Sequence, residues 1–559
     1  MPKKHYFDIK WLFILAIAAF LAVFQVFPLI YLVLRAFHVD GRLSLEGVKR
    51  IYTYAMNWSC LKNTILTAGL AMVFGTALAV PLAWLTGRTN LYGRSFFRFL
   101  FVTTYMVPPY VGAMAWLRLL NPNVGTLNVL LKNLLGLEQT PFNIYSIGGL
   151  VWVLTTFYFP YAFITISRAM EKMDPSLEEA SRISGASPLR TLFTVTLPLM
   201  LPSIVAAALL VFVAASSCYG IPSIIGAPGQ IYTVTTRIMD YVSVGSQQGL
   251  TDAANLAVFL MAISLAVLYF SKFVVGKRDY ITVSGKSTQP SLVDLGRWRV
   301  PITVLTGLFA LLVIILPFLT VFTTSVTVNL GKSVFAPDNF SLKFWHTALT
   351  RKSILGSAKN SLLSAVLAAS IGMLICLVMA YLLKRTSVRG REIPDFFITV
   401  GSGTPSVVIA LALIMTMSGR FGINIYNTMA IMVVAYMIKY MLMGMRTVVS
   451  AFSQVSPSLE EAAQISGAGW LRRMRDVLFP LIVPSIVAGW FLIFMPCFYE
   501  LTMSNLLYST NTKTLGVELF TYQTYHSQQT ASALAGGILL LVVAVNLALD
   551  RLTKGKFSI

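Results

Sequence analysis

The chain has 559 residues, of which 56% are hydrophobic and only 11% are charged, and its mean hydropathy is +0.74. No globule of this length has enough interior to hide so much apolar surface, so the composition excludes a soluble protein and indicates an integral membrane protein. We interpret the formal net charge of +22 as cytoplasmic loops rich in Lys and Arg, and not as a nucleic-acid surface.

Apolar runs long enough to cross a bilayer as helices, about 20 residues each, occur twelve times, and we number them span 1 to span 12. The six runs in the first half lie at 11–34, 64–86, 99–120, 144–166, 197–217 and 253–275. The six in the second half lie at 301–323, 361–383, 396–418, 427–449, 478–499 and 531–549. No small-residue cleavage site follows the first run, so it is predicted to be a retained span and not a removed signal peptide.

The distribution of Lys and Arg predicts the orientation of the chain. With a cytoplasmic amino terminus, the inner loops carry 27 of these residues and the outer loops carry 14. Positive residues favour the cytoplasmic side of a membrane. We therefore expect a multi-pass protein with both termini in the cytoplasm.

An internal repeat relates the two halves of the chain. The segment PSLEEASRISGA at 175–186 returns as PSLEEAAQISGA at 457–468, with ten of twelve residues identical at an offset of 282. Upstream, KNTILTAGL at 62 matches KNSLLSAVL at 359 at an offset of 297, as do the Arg-Thr pairs that follow spans 2 and 8. The outer loop after span 3 is 15 residues longer than the loop after span 9, which accounts for the change of offset.

The repeat predicts a first unit at 1–275, a cytoplasmic linker at 276–300 and a second unit at 301–559. Because each unit has an even number of spans, both units enter the bilayer in the same direction. We expect them to be parallel six-helix repeats related by a pseudo-twofold axis along the membrane normal. A transport path would run between them.

The repeated segment lies in two long cytoplasmic loops, at 168–196 and 450–477. In each loop a capping residue precedes a proline, which is typical of a helix start, and a glycine follows about ten residues later. The spacing predicts a short amphipathic helix along the membrane surface, and then a second helix that runs into span 5 or span 11. Such a helix, with its acidic pair, is suited to dock into a partner protein.

The two repeated segments resemble the coupling loops of type I ABC importer permeases. The motif is present as Glu179-Ala180-Ser181 with Gly185, and again as Glu461-Ala462-Ala463 with Gly467. Fusion of two permease units in one chain is similar to the ferric iron uptake branch of that family. The stretches Tyr219-Gly220-Ile221-Pro222 and Tyr499-Glu500-Leu501-Thr502 partly match that branch.

The resemblance implies the twelve-helix type I importer fold in the bacterial cytoplasmic (inner) membrane. It also implies two ATP-binding cassette ATPase subunits on the cytoplasmic side, which hold ATP and Mg, and an extracytoplasmic solute-binding protein. The residues expected to couple to the ATPases are Glu178, Glu179, Ala180 and Gly185 in the first loop, and Glu460, Glu461, Ala462 and Gly467 in the second.

The chain lacks the residues for its own ATP hydrolysis. The tail of a phosphate-binding loop is present in Gly285-Lys286-Ser287, but Tyr280 stands where the first glycine is required. The four His residues have no metal-ligand spacing. We therefore predict a transport subunit that is not an enzyme and binds no cofactor. Besides the ATPases and the solute-binding protein, we expect it to contact membrane lipid.

The transported cargo is open at this stage. A ferric ion would require hard oxygen ligands, and Tyr219, Tyr499, Glu500 and Glu518 could supply some of them, although such residues also anchor helices at the membrane edge. Phosphonate, polyamine and sulfate-type cargoes are alternatives. So are two other classes, an ion-coupled secondary transporter with parallel repeats and a membrane-embedded enzyme. Lys439, near the middle of span 10, has either a structural partner or a role in the path.

Overall fold

The computed structural model describes residues 9–39, 42–276, 292–332 and 336–552, so most of the predicted linker lies outside the described residues. Ten of the predicted spans are unbroken helices, at Trp11–Ala36, Ala55–Arg88, Ile147–Glu171, Pro188–Ser216, Gln247–Ser271, Gly296–Val326, Lys352–Arg385, Met429–Gln454, Trp470–Phe498 and Gln528–Ala548. Several extend beyond their apolar runs, because a helix continues after it leaves the hydrocarbon.

Shorter elements lie between the spans. The helices are Glu46–Thr53, Thr126–Leu135, Pro175–Ile183, Val234–Ser243, Lys343–Thr350, Pro457–Ile465, Ser504–Leu507 and Leu515–Tyr525. Two strands of two residues each, His38–Val39 and Arg42–Leu43, pair antiparallel after span 1.

Spans 3 and 9 are broken, which the hydropathy of the sequence does not predict. Span 3 consists of Arg94–Tyr105 and Pro109–Leu120, bent by 104°, and span 9 of Glu392–Gly403 and Ser406–Thr416, bent by 109°. Both breaks fall at prolines, Pro108 and Pro405. Proline has no N–H to donate and disfavours a helical residue before it, so the helix cannot continue.

Each broken span nevertheless runs the whole length of its neighbour. Arg98 at the start of span 3 forms an ion pair with Glu171 at the end of span 4. Asn121, after the end of span 3, donates a hydrogen bond of 3.1 Å to the hydroxyl of Tyr145, just before span 4 begins. Span 3 therefore begins where span 4 ends, and it ends where span 4 begins.

For span 9, Asp395 near its start pairs with Arg446 near the end of span 10 at 3.1 Å. The carbonyl of Met417 at the end of span 9 accepts the N–H of Tyr426, just before span 10, at 3.1 Å. With each broken pair counted as one crossing, the prediction of twelve transmembrane helices is confirmed.

Four spans widen by one residue per turn just before a proline. Five-residue π-helical turns occur at Ala22–Val26, Leu192–Thr196, Leu311–Ile315 and Met474–Leu478, in spans 1, 5, 7 and 11. A proline follows each turn after one intervening residue. Since a proline ring clashes with the carbonyl four residues earlier, the wider turn lets the helix pass the proline without breaking.

The two units have the same internal packing and are interlocked. Spans 2, 4 and 5 pack together in the first unit, and spans 8, 10 and 11 pack together in the second. The first span of each unit crosses over: the helix Phe27–Ala36 of span 1 packs on Ser406–Thr416, and Leu316–Val326 of span 7 packs on Pro109–Leu120. This equivalence is what a twofold relation between the units requires.

One close approach has a different solution in each unit. Gly112 in span 3 lies against Phe157 in span 4, and a Cβ atom on this glycine would lie 1.9 Å from the phenyl ring. The repeat-equivalent residues in the second unit are Ile409 and Lys439. The first unit thus has a glycine opposite a phenylalanine at this contact. The second unit has an isoleucine and a lysine at the equivalent positions.

Replacing Gly112 by alanine is expected to destabilise the protein by about 1–3 kcal/mol, the usual cost of overpacking a buried site. The thermal unfolding midpoint of the purified protein in detergent measures this loss. The double variant Gly112→Ala/Phe157→Leu, which makes space for the methyl group, should recover much of it. An unfolding midpoint unchanged by Gly112→Ala would contradict the observed contact.

Candidate functional site

A cavity of about 250 Å³ lies between the two units, at the level of the broken spans. Its walls come from spans 3, 4 and 5 of the first unit and from spans 9, 10 and 11 of the second. Tyr158 and Tyr161 contribute from span 4, and Tyr440 and Met443 contribute from span 10. The cavity is therefore where a path between the units would run.

The cavity is lined by residues that the internal repeat makes equivalent. At the offset of 282 the lining pairs are Tyr158 with Tyr440, Tyr161 with Met443, Leu210 with Leu492, Val213 with Met495, Ala214 with Pro496, Ser217 with Tyr499, Cys218 with Glu500, Tyr219 with Leu501 and Gly220 with Thr502. Equivalent residues can face one another in this way only if the cavity lies on the axis that relates the units. The cavity is thus axial.

Tyrosines form the largest group of polar side chains around the cavity. There are seven, at 105, 110, 158, 161, 219, 440 and 499. The rings of Tyr105 and Tyr161 lie 4.6 Å apart between centroids, and those of Tyr158 and Tyr161 lie 5.3 Å apart. The Tyr110 hydroxyl donates a hydrogen bond of 3.0 Å to the carbonyl of Tyr499, which ties the two units together at the wall.

Lys439 lines the cavity and has a structural partner. Its ammonium group donates hydrogen bonds of 2.8 Å to the carbonyl of Ser402 and 2.8 Å to the carbonyl of Thr404. Both carbonyls lie at the break in span 9, where the helix cannot supply their N–H partners. Of the two alternatives that the sequence leaves open, the structure favours the structural one.

Three of the four candidate metal ligands line the cavity, namely Tyr219, Tyr499 and Glu500, whereas Glu518 does not. Both carboxylate oxygens of Glu500 accept backbone N–H bonds, from Met503 at 3.0 Å and from Ser504 at 2.8 Å. Glu500 therefore holds the start of the short helix Ser504–Leu507, which follows span 11. Glu518 is buried and forms an ion pair of 2.5 Å with Lys513.

Within the described residues, no group of three or more His, Cys, Asp or Glu side chains is arranged to hold a metal ion. The polar residues of the cavity wall other than Lys439 and Glu500 are tyrosines, serines, a threonine and a cysteine.

The short helices of the two repeated loops form as the sequence predicts, at Pro175–Ile183 and Pro457–Ile465, and we call them the docking helices. The Asp174 carboxylate accepts the N–H of Ser176 at 2.9 Å, and this hydrogen bond holds the pKa of the Asp174 carboxyl below its ordinary value. Ser456 caps the second docking helix in the same way.

The glycine after each docking helix has a left-handed backbone. The φ angle is +86° at Gly185 and +81° at Gly467. In the first loop the N–H of Gly185 donates to the carbonyl of Arg182 at 2.9 Å, and the N–H of Ala186 donates to the carbonyl of Ser181 at 3.1 Å. These bonds end the helix as in a Schellman motif, for which glycine is the favoured residue.

Apolar residues project from both docking helices into solvent. Ile183 is 87% exposed and Ile465 is 88% exposed, and the preceding turns expose Leu177 and Leu459. Ala180, Ala462, Glu461 and both glycines are also exposed, while Glu179 is half-buried. Exposed apolar side chains of this size are compatible with the predicted contact to a partner, which stays a prediction.

Glu178 and Glu460, two of the residues expected to couple to the ATPases, each form an ion pair with an arginine of the same chain. Glu178 is buried, and its carboxylate lies 3.6 Å from the guanidinium of Arg88. Glu460 lies 2.5 Å from the guanidinium of Arg385. We call Arg88 with Glu178 the first arginine bridge, and Arg385 with Glu460 the second. The physical reason is that burial of these carboxylates in a protein needs a cation nearby.

The sequence signal for these arginines is the repeated Arg-Thr pair after spans 2 and 8. It locates Arg88 and Arg385 as equivalent positions, but spacing alone does not indicate that they reach the docking helices. The pairing joins residues 90 positions apart in the first unit and 75 apart in the second. Contacts of that sequence separation depend on how the spans pack.

The chain belongs to a family of membrane transport subunits. Residues 79–277 and 372–555 match the binding-protein-dependent transport system inner membrane component family, with one match in each predicted unit. The chain is therefore a multi-pass permease component of a binding-protein-dependent importer, with two permease units fused in one chain.

Two curated relatives are similar along nearly the whole chain. The ferric transport system permease protein FbpB of Actinobacillus pleuropneumoniae is 24% identical over 542 residues, which cover 96% of this chain and 77% of that protein. The Fe(3+)-transport system permease protein FbpB 2 of Haemophilus influenzae is 25% identical over 566 residues, which cover 100% of both. Among solved structures, a bacterial alginate ABC transporter in complex with its alginate-bound periplasmic protein aligns with a TM-score of 0.41, at 18% identity over 51% of this chain and 100% of that chain.

Replacing Gly185 or Gly467 by alanine is expected to loosen the end of the docking helix, because a left-handed backbone costs an alanine roughly 1–2 kcal/mol. Amide hydrogen exchange within Pro175–Ile183 or Pro457–Ile465 should accelerate about 5- to 30-fold. Asparagine tolerates this conformation, so Gly185→Asn and Gly467→Asn are the matched controls and should exchange almost as slowly as the wild type. Equal acceleration by alanine and asparagine would refute the backbone explanation.

Replacing Lys439 by methionine keeps the length of the side chain but leaves the carbonyls of Ser402 and Thr404 without its ammonium group. The expected loss of stability is about 1–3 kcal/mol, the cost of a buried polar group that loses its partner. The thermal unfolding midpoint in detergent measures it. Lys439→Arg keeps the donors and should lose less, and an identical loss in both variants would argue against the hydrogen bonds.

Proposed function

We propose that this chain is the transmembrane permease of an ATP-driven importer of ferric iron, which a solute-binding protein delivers to its outer face. The main support for this proposal is the axial cavity between two equivalent units. The similarity to two ferric transport permeases along nearly the whole of this chain also supports it. The tyrosine-rich wall is compatible with this cargo, because phenol and carbonyl oxygens suit a hard cation.

Two ATPase subunits are proposed to bind the docking helices on the cytoplasmic side. The exposed side chains of Leu177 and Ile183, and of Leu459 and Ile465, supply the apolar contact area. Such residues fit a groove on a partner in the manner of an amphipathic helix. ATP and Mg would be held by those subunits, since this chain lacks a phosphate-binding loop.

The membrane is proposed to be the bacterial cytoplasmic membrane, with both termini on the cytoplasmic side. The excess of Lys and Arg on the inner loops supports this orientation. In this orientation the docking helices and the carboxyl-terminal ends of spans 4 and 10 lie on the cytoplasmic side, together with the ATPases. The helix Ser504–Leu507 lies towards the outer side.

The wild-type test is uptake into proteoliposomes that contain this chain, the ATPase subunits that co-purify with it, and the cognate binding protein loaded with ferric iron. We expect uptake that depends on ATP. Uptake driven by a proton or sodium gradient without ATP would instead favour a secondary transporter. Transport of a phosphonate, a polyamine or sulfate, with no transport of iron, would assign another cargo to the same machine.

A large residue in the cavity wall is expected to block the path. Ala214 lines the cavity on span 5, and Ala214→Phe should reduce uptake by at least about tenfold, because the bore of a pathway limits what passes. Leu201→Phe is the matched control, since Leu201 lies on the same helix but is 54% exposed on its outer surface. If both variants transport at the wild-type rate, the cavity is not the path.

A further inference from the structure

We propose that the two arginine bridges are positioning elements that make each docking helix move as one body with the spans that line the cavity. This inference rests on the proposed function, because it requires ATPase subunits that displace the docking helices. It assigns a role in energy coupling to Arg88, Glu178, Arg385 and Glu460. None of these residues lines the cavity.

Each bridge joins three separate elements. In the first unit, Arg88 extends from the end of span 2 to Glu178 on the docking helix, and its guanidinium also donates to the carbonyls of Met170 at 2.6 Å and Met173 at 3.1 Å. Those carbonyls lie at the carboxyl end of span 4, where helical partners run out. One side chain therefore connects span 2, span 4 and the docking helix.

The second unit repeats the arrangement at equivalent positions. Arg385 follows the same route from the end of span 8, donating to the carbonyl of Val455 at 2.7 Å and to Glu460. Val455 is the repeat equivalent of Met173, at the offset of 282. Two independent copies of one geometry indicate a function that both units share.

The surroundings explain why this connection affects coupling. Each docking helix packs against the turns that follow it, which continue directly into span 5 or span 11. The arginine bridge adds the link to the other two helices of the packed group, spans 2 and 4 or spans 8 and 10. Displacement of the docking helix then moves the whole group, including the cavity residues Tyr158 and Tyr440, and does not merely bend the loop.

Arginine is suited to this role, because its planar guanidinium holds several acceptors in a fixed geometry. The side chains of the first bridge are 3% and 9% exposed, and those of the second are 10% and 12% exposed. Water therefore weakens these ion pairs little. The first bridge is further fixed by the hydroxyl of Thr196, which donates to Glu178 at 2.6 Å.

The experiment uses the second bridge, which is less buried and thus tolerates substitution better. The complex with its ATPase subunits is purified for the wild type, Arg385→Gln, Glu460→Gln and the double variant, and iron uptake per ATP hydrolysed is measured. We expect ATPase subunits to remain bound. Uptake per ATP should fall about tenfold in each single variant, within the usual range of coupling between sites, and no further in the double variant.

Two additional variants separate coupling from folding. Arg385→Lys keeps the charge but cannot hold both acceptors as guanidinium does, so it should give an intermediate ratio. Arg446→Gln is the matched control, because Arg446 forms an ion pair with Asp395 in the same unit, outside the bridges, and is 49% exposed. This variant should retain the wild-type ratio, as expected of an exposed pair.

A second readout is independent of the cargo. Spin labels at Arg168→Cys and Ser450→Cys, exposed and repeat-equivalent residues near the ends of spans 4 and 10, report the distance between the two helix groups. The four native cysteines are buried and should not be labelled. We expect ATP to change this distance in the wild type, and we expect the change to be lost in Arg385→Gln and Glu460→Gln.

Several results would overturn the inference. These are an unchanged ratio in both single variants, losses that multiply in the double variant, or release of the ATPase subunits by Glu460→Gln, which would assign this carboxylate to the docking surface. A wild-type complex that imports something other than iron would count against the proposed cargo alone. The label distances would still decide the role of the bridges in that case.

Discussion

The constraint on which this structure depends is that backbone groups inside a bilayer must be paired within the protein. Ten spans meet it as unbroken helices, four of which pass a proline through a wider turn. Spans 3 and 9 do not, and both breaks lie at the axial cavity, where irregular backbone is tolerated because it is not exposed to lipid. The ammonium group of Lys439 supplies the partners that the break in span 9 removes.

The two units share the same packing of helices but line the cavity with different residues. Around the cavity, the repeat equivalent of Cys218 is Glu500, that of Ser217 is Tyr499, and that of Tyr161 is Met443. A symmetric pair of identical subunits could not present such different walls to a single cargo. Fusion in one chain fixes one copy of each wall in every molecule, and it also fixes which docking helix belongs to which wall.

Much of the fold could be predicted from the sequence, because the predictive signals are local. Apolar runs locate the spans, and a cap, a proline and a glycine locate Pro175–Ile183 within a residue. The breaks at Pro108 and Pro405 could not be predicted from hydropathy, because hydropathy reports how apolar a segment is and not the direction in which its helix runs. The sequence leaves two roles open for Lys439, because the carbonyls that accept its hydrogen bonds are on another span. The ion pair of Glu178 with Arg88 could not be predicted, because it depends on how span 2 packs against the docking helix.

The interlocking of the first spans has a consequence for how the protein is made. Gln25 in span 1 is buried, and its amide donates a hydrogen bond of 2.6 Å to the carbonyl of Phe397 in span 9. The helix Phe27–Ala36 likewise packs on Ser406–Thr416, which the ribosome reaches 370 residues later. Protein synthesis adds about 5–20 residues per second. Span 1 is therefore in the membrane for roughly 20–75 s before its polar side chain and its apolar face can contact their partners. During that interval the nascent protein depends on lipid or on the insertion machinery to shield them.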